Sequence, residues 1–88
     1  MVLYEQNSLK IKGNLHTLEQ LYKRKVSGVL VKDMLNQAID KIAVQETIAI
    51  VYQEIKLIVL RINNNEYFVV TCLLPNMYVK KGIRIIYI

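Results

Sequence analysis

Residues 47–74 read TIAIVYQEIKLIVLRINNNEYFVVTCLL, and the predicted sheet is built mainly from this stretch. Its β-branched and aromatic residues form three runs, which predict strands over residues 47–52, 55–62 and 67–74. The polar breaks between the runs, Gln53-Glu54 and Asn63-Asn64-Asn65, have the length of hairpin turns. We therefore expect two consecutive antiparallel hairpins.

The remaining C-terminal residues predict a fourth strand. Pro75-Asn76 ends the third run, and residues 77–82 form a basic connection to an apolar strand over residues 83–88. The expected sheet is a four-stranded antiparallel meander. On the third strand, strict alternation would place Phe68, Val70, Cys72 and Leu74 on one face and Tyr67, Val69, Thr71 and Leu73 on the other.

The N-terminal half predicts two helices. Asn14 is a suitable N-cap, and Leu15, Leu18, Leu21 and Tyr22 recur at helical spacing, which indicates a first helix over residues 14–25. Ser27 or Gly28 can begin a second helix. Its apolar face is expected to contain Leu30, Val31, Met34, Leu35, Ala38, Ile39 and Ile42.

Together these elements predict one α+β domain over residues 1–88, with two N-terminal helices packed on the four-stranded antiparallel meander. Before the first helix, residues 8–12 alternate polar and apolar side chains up to Gly13, which suits a short strand or an extended lead-in. We expect no second domain, because 88 residues are near the lower end of what buries a self-sufficient core.

Composition argues against several classes of protein. No apolar run approaches the length of about 18 residues needed to span a membrane, and Glu5 lies where a signal peptide would be basic, so we expect a cytoplasmic location and no membrane partner. Cys72 is the single cysteine, which excludes an internal disulfide and a multi-cysteine zinc site. We expect no cofactor and no metal.

The net charge of +5 points to an anionic partner. Nucleic acid is the commonest such partner of a compact basic domain, although a basic face can equally be a solvated one or can meet an acidic protein. Basic residues cluster at the end of the first helix and before the last strand, and Tyr87 could stack on a base. The candidate RNA-binding residues are Lys23, Lys80, Lys81, Arg84 and Tyr87. A favourable helix C-terminus and a solvated turn are the competing explanations for these cations.

One helix motif and one strand motif resemble a known family. The sequence Leu15-His16-Thr17-Leu18-Glu19-Gln20-Leu21 through Arg24, with a second helix and the strand Val69-Val70-Thr71, is similar to small RelE-like proteins of the barnase, EndoU, colicin and RelE superfamily. The resemblance covers about residues 14–75. It implies ribonuclease toxins that cleave RNA without metal by 2′-hydroxyl attack and that are held inactive by an antitoxin.

The resemblance also implies site residues. His16 corresponds to the helix histidine of the family, Arg24 to an arginine two turns later, and Thr71 to a strand threonine near the cleft. These three are the candidate catalytic residues, and His16, Gln20 and Arg24 share one side of the first helix by their spacing. Gln20 departs from the family, which often has arginine there.

That departure favours a second interpretation, in which the chain is a non-catalytic interaction or inhibitor protein of mobile-element or phage origin on the same scaffold. A plain RNA-binding module is a third, disfavoured because the usual aromatic strand motifs are missing. The last strand, residues 83–88, is apolar on both faces and is a candidate pairing edge. Its expected partner is either a second copy of the chain or an inhibitor that adds a strand.

Overall fold

The structure is a computed structural model that describes residues 1–88, and it contains two α-helices, one short 3₁₀ turn and six strands. In chain order the elements are β1 Val2–Gln6, β2 Leu9–Gly13, α1 Leu15–Lys23, α2 Gly28–Ala38, the 3₁₀ turn Ile39–Lys41, β3 Thr47–Tyr52, β4 Ile55–Arg61, β5 Glu66–Leu73 and β6 Arg84–Tyr87. The strands form one mixed sheet in the order β1-β2-β5-β4-β3-β6. The α+β class is confirmed, but the four-stranded antiparallel meander is wrong.

The meander holds only for β3, β4 and β5, which pair antiparallel through two hairpins. The last strand, β6, does not continue it and instead pairs parallel with β3. The physical reason lies at the far side of β5, where β2 pairs in parallel and helix α1 contacts the remaining backbone. Because that side is occupied, the chain crosses back to the free side of β3.

The N-terminal hairpin β1-β2 extends the sheet beyond the prediction. Its two-residue turn consists of Asn7 and Ser8, which both adopt positive φ, 53° and 70°. Two consecutive residues at positive φ match the twist of a tight hairpin. The expected strand over residues 8–12 corresponds to β2, whereas β1 was not predicted because Asn7-Ser8 lacks the glycine that usually marks such a turn.

Helix α2 packs as its sequence pattern predicts. Ser27 is its N-cap and accepts a hydrogen bond from the Leu30 N–H at 3.1 Å. The predicted apolar face is buried or half-buried throughout and joins the core on one face of the sheet. From the sheet, this core contains Ile11, Ile48, Ile50, Leu57, Val59, Tyr67, Val69, Cys72 and Ile86.

The connection between β5 and β6 lies on the opposite face of the sheet, over β4. Ala49 and Ile58 alternate with core residues along their strands and so point away from the core, yet both are buried. On the same face, the Lys56 ammonium donates to the carbonyl oxygens of Pro75 and Met77, at 2.9 and 2.8 Å. The connection therefore crosses the sheet on the side away from the helices.

Helix α1 begins as predicted but does not pack as predicted. The Asn14 side chain accepts from the Thr17 N–H at 2.7 Å, which confirms the N-cap. Of the expected apolar face, only Leu21 is buried. Leu15, Leu18 and Tyr22 are 61%, 39% and 85% exposed. The helix instead turns a polar side toward the sheet.

Candidate functional site

The candidate site forms where strand β5 has no neighbouring strand. Strand β2 pairs with residues 66–69 of β5 and then ends at Gly13. Beyond Val69, the backbone groups on that side of β5 would lack partners, and buried backbone polar groups are costly to leave unpaired. Helix α1 starts two residues after Gly13 and runs along this open edge.

Three α1 side chains take the place of the missing strand. The Thr17 hydroxyl donates to the Val70 carbonyl at 2.9 Å and is 3.3 Å from that of Val69. Gln20 Oε1 accepts from the Cys72 N–H at 3.3 Å, and Arg24 Nη1 donates to the Cys72 carbonyl at 2.6 Å. Polar hydrogen bonding therefore explains why this side of α1 packs inward.

Gln20 also connects two of the predicted catalytic residues. Its Oε1 accepts from the Thr71 hydroxyl at 2.7 Å, and its Nε2 lies 2.9 Å from His16 Nε2. An amide nitrogen can only donate, so His16 Nε2 accepts and the neutral imidazole carries its proton on Nδ1. We call His16, Thr17, Gln20, Arg24 and Thr71 the β5 edge site.

Thr71 reaches Gln20 because β5 contains a bulge. Val59 pairs with Val69, but its neighbour Ile58 pairs with Thr71, so Val70 is an extra residue. A bulge shifts the alternation of side chains by one position. The expected alternation is therefore wrong beyond Val69, and Cys72 joins Tyr67 and Val69 in the core.

Arg24 is half-buried and lines a depression of about 280 Å³. Its Nε is buried without a hydrogen-bond partner, and Nη1 is held by the Cys72 carbonyl. Burial raises the pKa of the Cys72 thiol, and the nearby Arg24 guanidinium partly opposes this. A buried thiol of raised pKa is a poor nucleophile, so Cys72 is a packing residue in this site. The depression is lined by Arg24, Val26, Glu54, Ile55, Cys72, Leu73, Leu74 and Pro75.

The predicted RNA-binding residues are not all gathered here. Lys23 is exposed at the end of α1, whereas Lys80 and Lys81 are exposed on the connection that precedes β6. Arg84 and Tyr87 lie on β6, three strand positions from β5 and therefore about 14 Å from it at ordinary strand spacing. Only Lys23 shares an element with the β5 edge site.

Arg84 is occupied by contacts within the chain. Its guanidinium pairs with the Glu46 carboxylate, with Nη2 2.9 Å from Oε1, and also donates to the Lys41 carbonyl. This hydrogen-bonded pairing lowers the pKa of Glu46 and raises that of Arg84. Arg84 therefore ties β6 to the segment after α2.

Two features of α1 were missed from the sequence. Gln20 was treated as a lost cation, yet it is the residue that links His16 to Thr71. The outward position of Leu15, Leu18 and Tyr22 was also missed. The available signal was the spacing of Thr17, Gln20 and Arg24, which places three hydrogen-bonding side chains on one helical stripe.

No group of three or more His, Cys, Asp or Glu side chains lies close enough together to hold a metal ion. Neither helix combines the length and the apolar content that a membrane crossing requires. Comparison with protein-family models, curated proteins and solved structures finds no match to this chain.

Proposed function

We propose that the chain is a small ribonuclease that cleaves RNA by 2′-hydroxyl attack, without a metal ion, at the β5 edge site. The observation that supports this most is the hydrogen-bonded line from Thr71 through Gln20 to His16. Its long-range step joins Thr71 to Gln20, 51 positions apart in sequence, and the line ends on the exposed imidazole of His16. The resemblance to RelE-like ribonucleases pointed to both ends of this line.

In the proposed reaction, the substrate 2′-hydroxyl takes the place of the Gln20 amide at His16 Nε2 and transfers its proton there. The 2′-oxygen then forms a bond to the adjacent phosphorus. The bond from phosphorus to the 5′-oxygen breaks, and the leaving oxygen takes up a proton from a solvent water molecule. The products are a 2′,3′-cyclic phosphate and a 5′-hydroxyl.

Arg24 supplies positive charge beside this chemistry. Its Nη1 is fixed on the Cys72 carbonyl, which orients the planar guanidinium and leaves Nη2 for a phosphate oxygen. Lys23, exposed on the same helix, adds charge that attracts the RNA backbone. Under this proposal Gln20, held by Thr71, orients the imidazole in the free protein, before the substrate hydroxyl replaces the amide.

The test is cleavage of total and transfer RNA in EDTA by wild-type protein and by His16→Ala. Gln37→Ala is the matched control, because Gln37 is exposed on α2 and outside the β5 edge site. We expect wild type and Gln37→Ala to cut equally and His16→Ala to lose at least about 100-fold, which is the usual contribution of a general base. Intact RNA with wild type, or equal cutting by all three proteins, would contradict the proposal.

Arg24→Ala is a less direct test. The substitution also removes the hydrogen bond to the Cys72 carbonyl, so a loss of cleavage would combine a stability effect with a chemical one. His16→Ala is free of this stability effect, because the one hydrogen bond of His16 is to an exposed part of Gln20.

A second candidate function is a non-catalytic interaction or inhibitor protein. The specific observation in its favour is that Thr17, Gln20 and Arg24 already serve to hold α1 on β5, while Leu15, Leu18 and Tyr22 face solvent. Under this proposal the outer side of α1 binds a partner protein. The same outer side could bind an antitoxin if the chain is a toxin.

Expression without a partner separates the two candidates. A ribonuclease toxin should arrest growth, and His16→Ala should relieve the arrest. An interaction protein should be tolerated in both forms. Growth arrest that His16→Ala leaves unchanged would count against the catalytic proposal.

A further inference from the structure

The two edges of the sheet differ in how well they are protected against pairing. At one edge, β1 has an irregular register between Val2 and Tyr4 and carries Glu5, which pairs with Lys10 at 3.6 Å. Irregularity and charge are the usual means of blocking an edge strand. Strand β6, at the other edge, has a regular register and no charged residue after Arg84.

The hydrogen bonding of β6 shows which groups are free. The Ile88 N–H donates to the Val51 carbonyl of β3 at 2.9 Å. Because backbone groups alternate along a strand, Arg84 and Ile86 also direct theirs to β3. The N–H and C=O groups of Ile85 and Tyr87 therefore point away from the sheet, two donors and two acceptors without a strand to bind.

We propose that β6 pairs antiparallel with β6 of a second copy of this chain, about a two-fold axis at Ile86. In this register Ile85 lies opposite the partner copy's Tyr87, and each such pair exchanges two backbone hydrogen bonds. Four outward groups on each copy are thereby satisfied. The two sheets become one continuous sheet of twelve strands, twice the six in each chain.

The exposed side chains of β6 fit this arrangement. Ile85 and Tyr87 are 38% and 72% exposed and lie on the face opposite the core residue Ile86. In the proposed register each Ile85 packs against a Tyr87 of the other copy, an aromatic and β-branched cross-strand pair. An isologous interface needs such self-complementary residues.

The local charge of β6 does not oppose a second copy at this edge. Two molecules of net charge +5 repel each other over most of their surfaces. On β6 the only cation, Arg84, is paired with Glu46. The antiparallel arrangement also places the Lys80-Lys81 segments of the two copies at opposite ends of the interface.

The first test is the molar mass by sedimentation equilibrium at tens of micromolar. We expect a dimer for wild type, a monomer for Ile85→Lys, and a dimer for Val2→Lys, the matched charge at the β1 edge, where Val2 is also exposed. A monomeric wild type would overturn the proposal. A dimer that persists in Ile85→Lys, or that is lost equally in both variants, would also overturn it.

A second test fixes the register and does not depend on Ile85→Lys folding. The double variant Ile85→Cys with Tyr87→Cys should form a covalent dimer on oxidation, because opposite residues have Cα atoms about 5.5 Å apart. Each single variant should fail to crosslink, since identical residues lie diagonally at about 8 Å. Cys72 is buried and does not interfere. Crosslinking of the single variants but not of the double variant would contradict the proposed axis.

Discussion

Helices α1 and α2 have similar apolar spacing in sequence but pack in opposite ways. Helix α2 buries Val31, Met34, Leu35 and Ala38 against the sheet. Helix α1 buries Thr17 and Leu21 and leaves most of its apolar stripe in solvent. The difference arises because α2 covers a sheet face, where area is buried, whereas α1 covers a strand edge, where hydrogen bonds must be satisfied.

The largest expected effect contrasts a leucine from each helix. Leu35→Ala on α2 should lower the free energy of unfolding by about 2–5 kcal/mol, because Leu35 is fully buried. Leu15→Ala on α1 should change it by less than about 0.5 kcal/mol, because Leu15 is mostly exposed. Urea unfolding of both variants measures this. Equal losses would show that α1 packs by its apolar side after all.

The next effect tests the hydrogen bonds of α1. Thr17→Val keeps the shape of the side chain but leaves the Val70 carbonyl without the hydroxyl that donates to it. We expect a loss of about 1–3 kcal/mol in the free energy of unfolding. Thr47→Val, at an exposed strand position, is the control and should be nearly neutral. An unchanged stability of Thr17→Val would remove the proposed reason for the packing of α1.

The smallest expected effect is a dependence of the free energy of unfolding on pH. It comes from two ion pairs that lie outside both helices. The pKa of Glu46 is lowered by Arg84 and that of Glu66 by Lys12, so both carboxylates favour the folded state when ionised. Their contribution is present above the usual carboxyl pKa of 4.5 and is lost as the pH falls through the lowered values. Unfolding at neutral pH and at about pH 3 should show this loss. Glu46→Gln should reduce it, and an unchanged dependence would contradict the role of the pair with Arg84.

Much of the fold follows from the sequence by local rules. Asn14 is the N-cap expected, α2 begins at Ser27-Gly28 as expected, and β3, β4 and β5 form within one or two residues of their predicted bounds. These features depend on neighbours in sequence. The position of β6 does not, because it depends on β5 being covered by β2 and α1, which lie more than 40 residues earlier.

The candidate site was also predictable only in part, because some of its contacts depend on residues far apart in sequence. The resemblance pointed to His16, Arg24 and Thr71, whose catalytic role stays a prediction, but it did not indicate the contact of Gln20 with Thr71. That contact requires the bulge at Val70, and one extra residue reverses which side chains share a face. A pattern of alternation cannot show where such a residue is inserted.

The inward side of α1 holds Gln20 on β5, and Gln20 in turn orients His16. His16 is the only histidine, so its imidazole gives a single set of nitrogen resonances by NMR. At a pH where the ring is neutral, we expect a proton on Nδ1 and an acceptor at Nε2 in wild type. In Gln20→Ala we expect a mixture of tautomers. A wild-type proton on Nε2, or spectra that Gln20→Ala leaves unchanged, would contradict this role of Gln20.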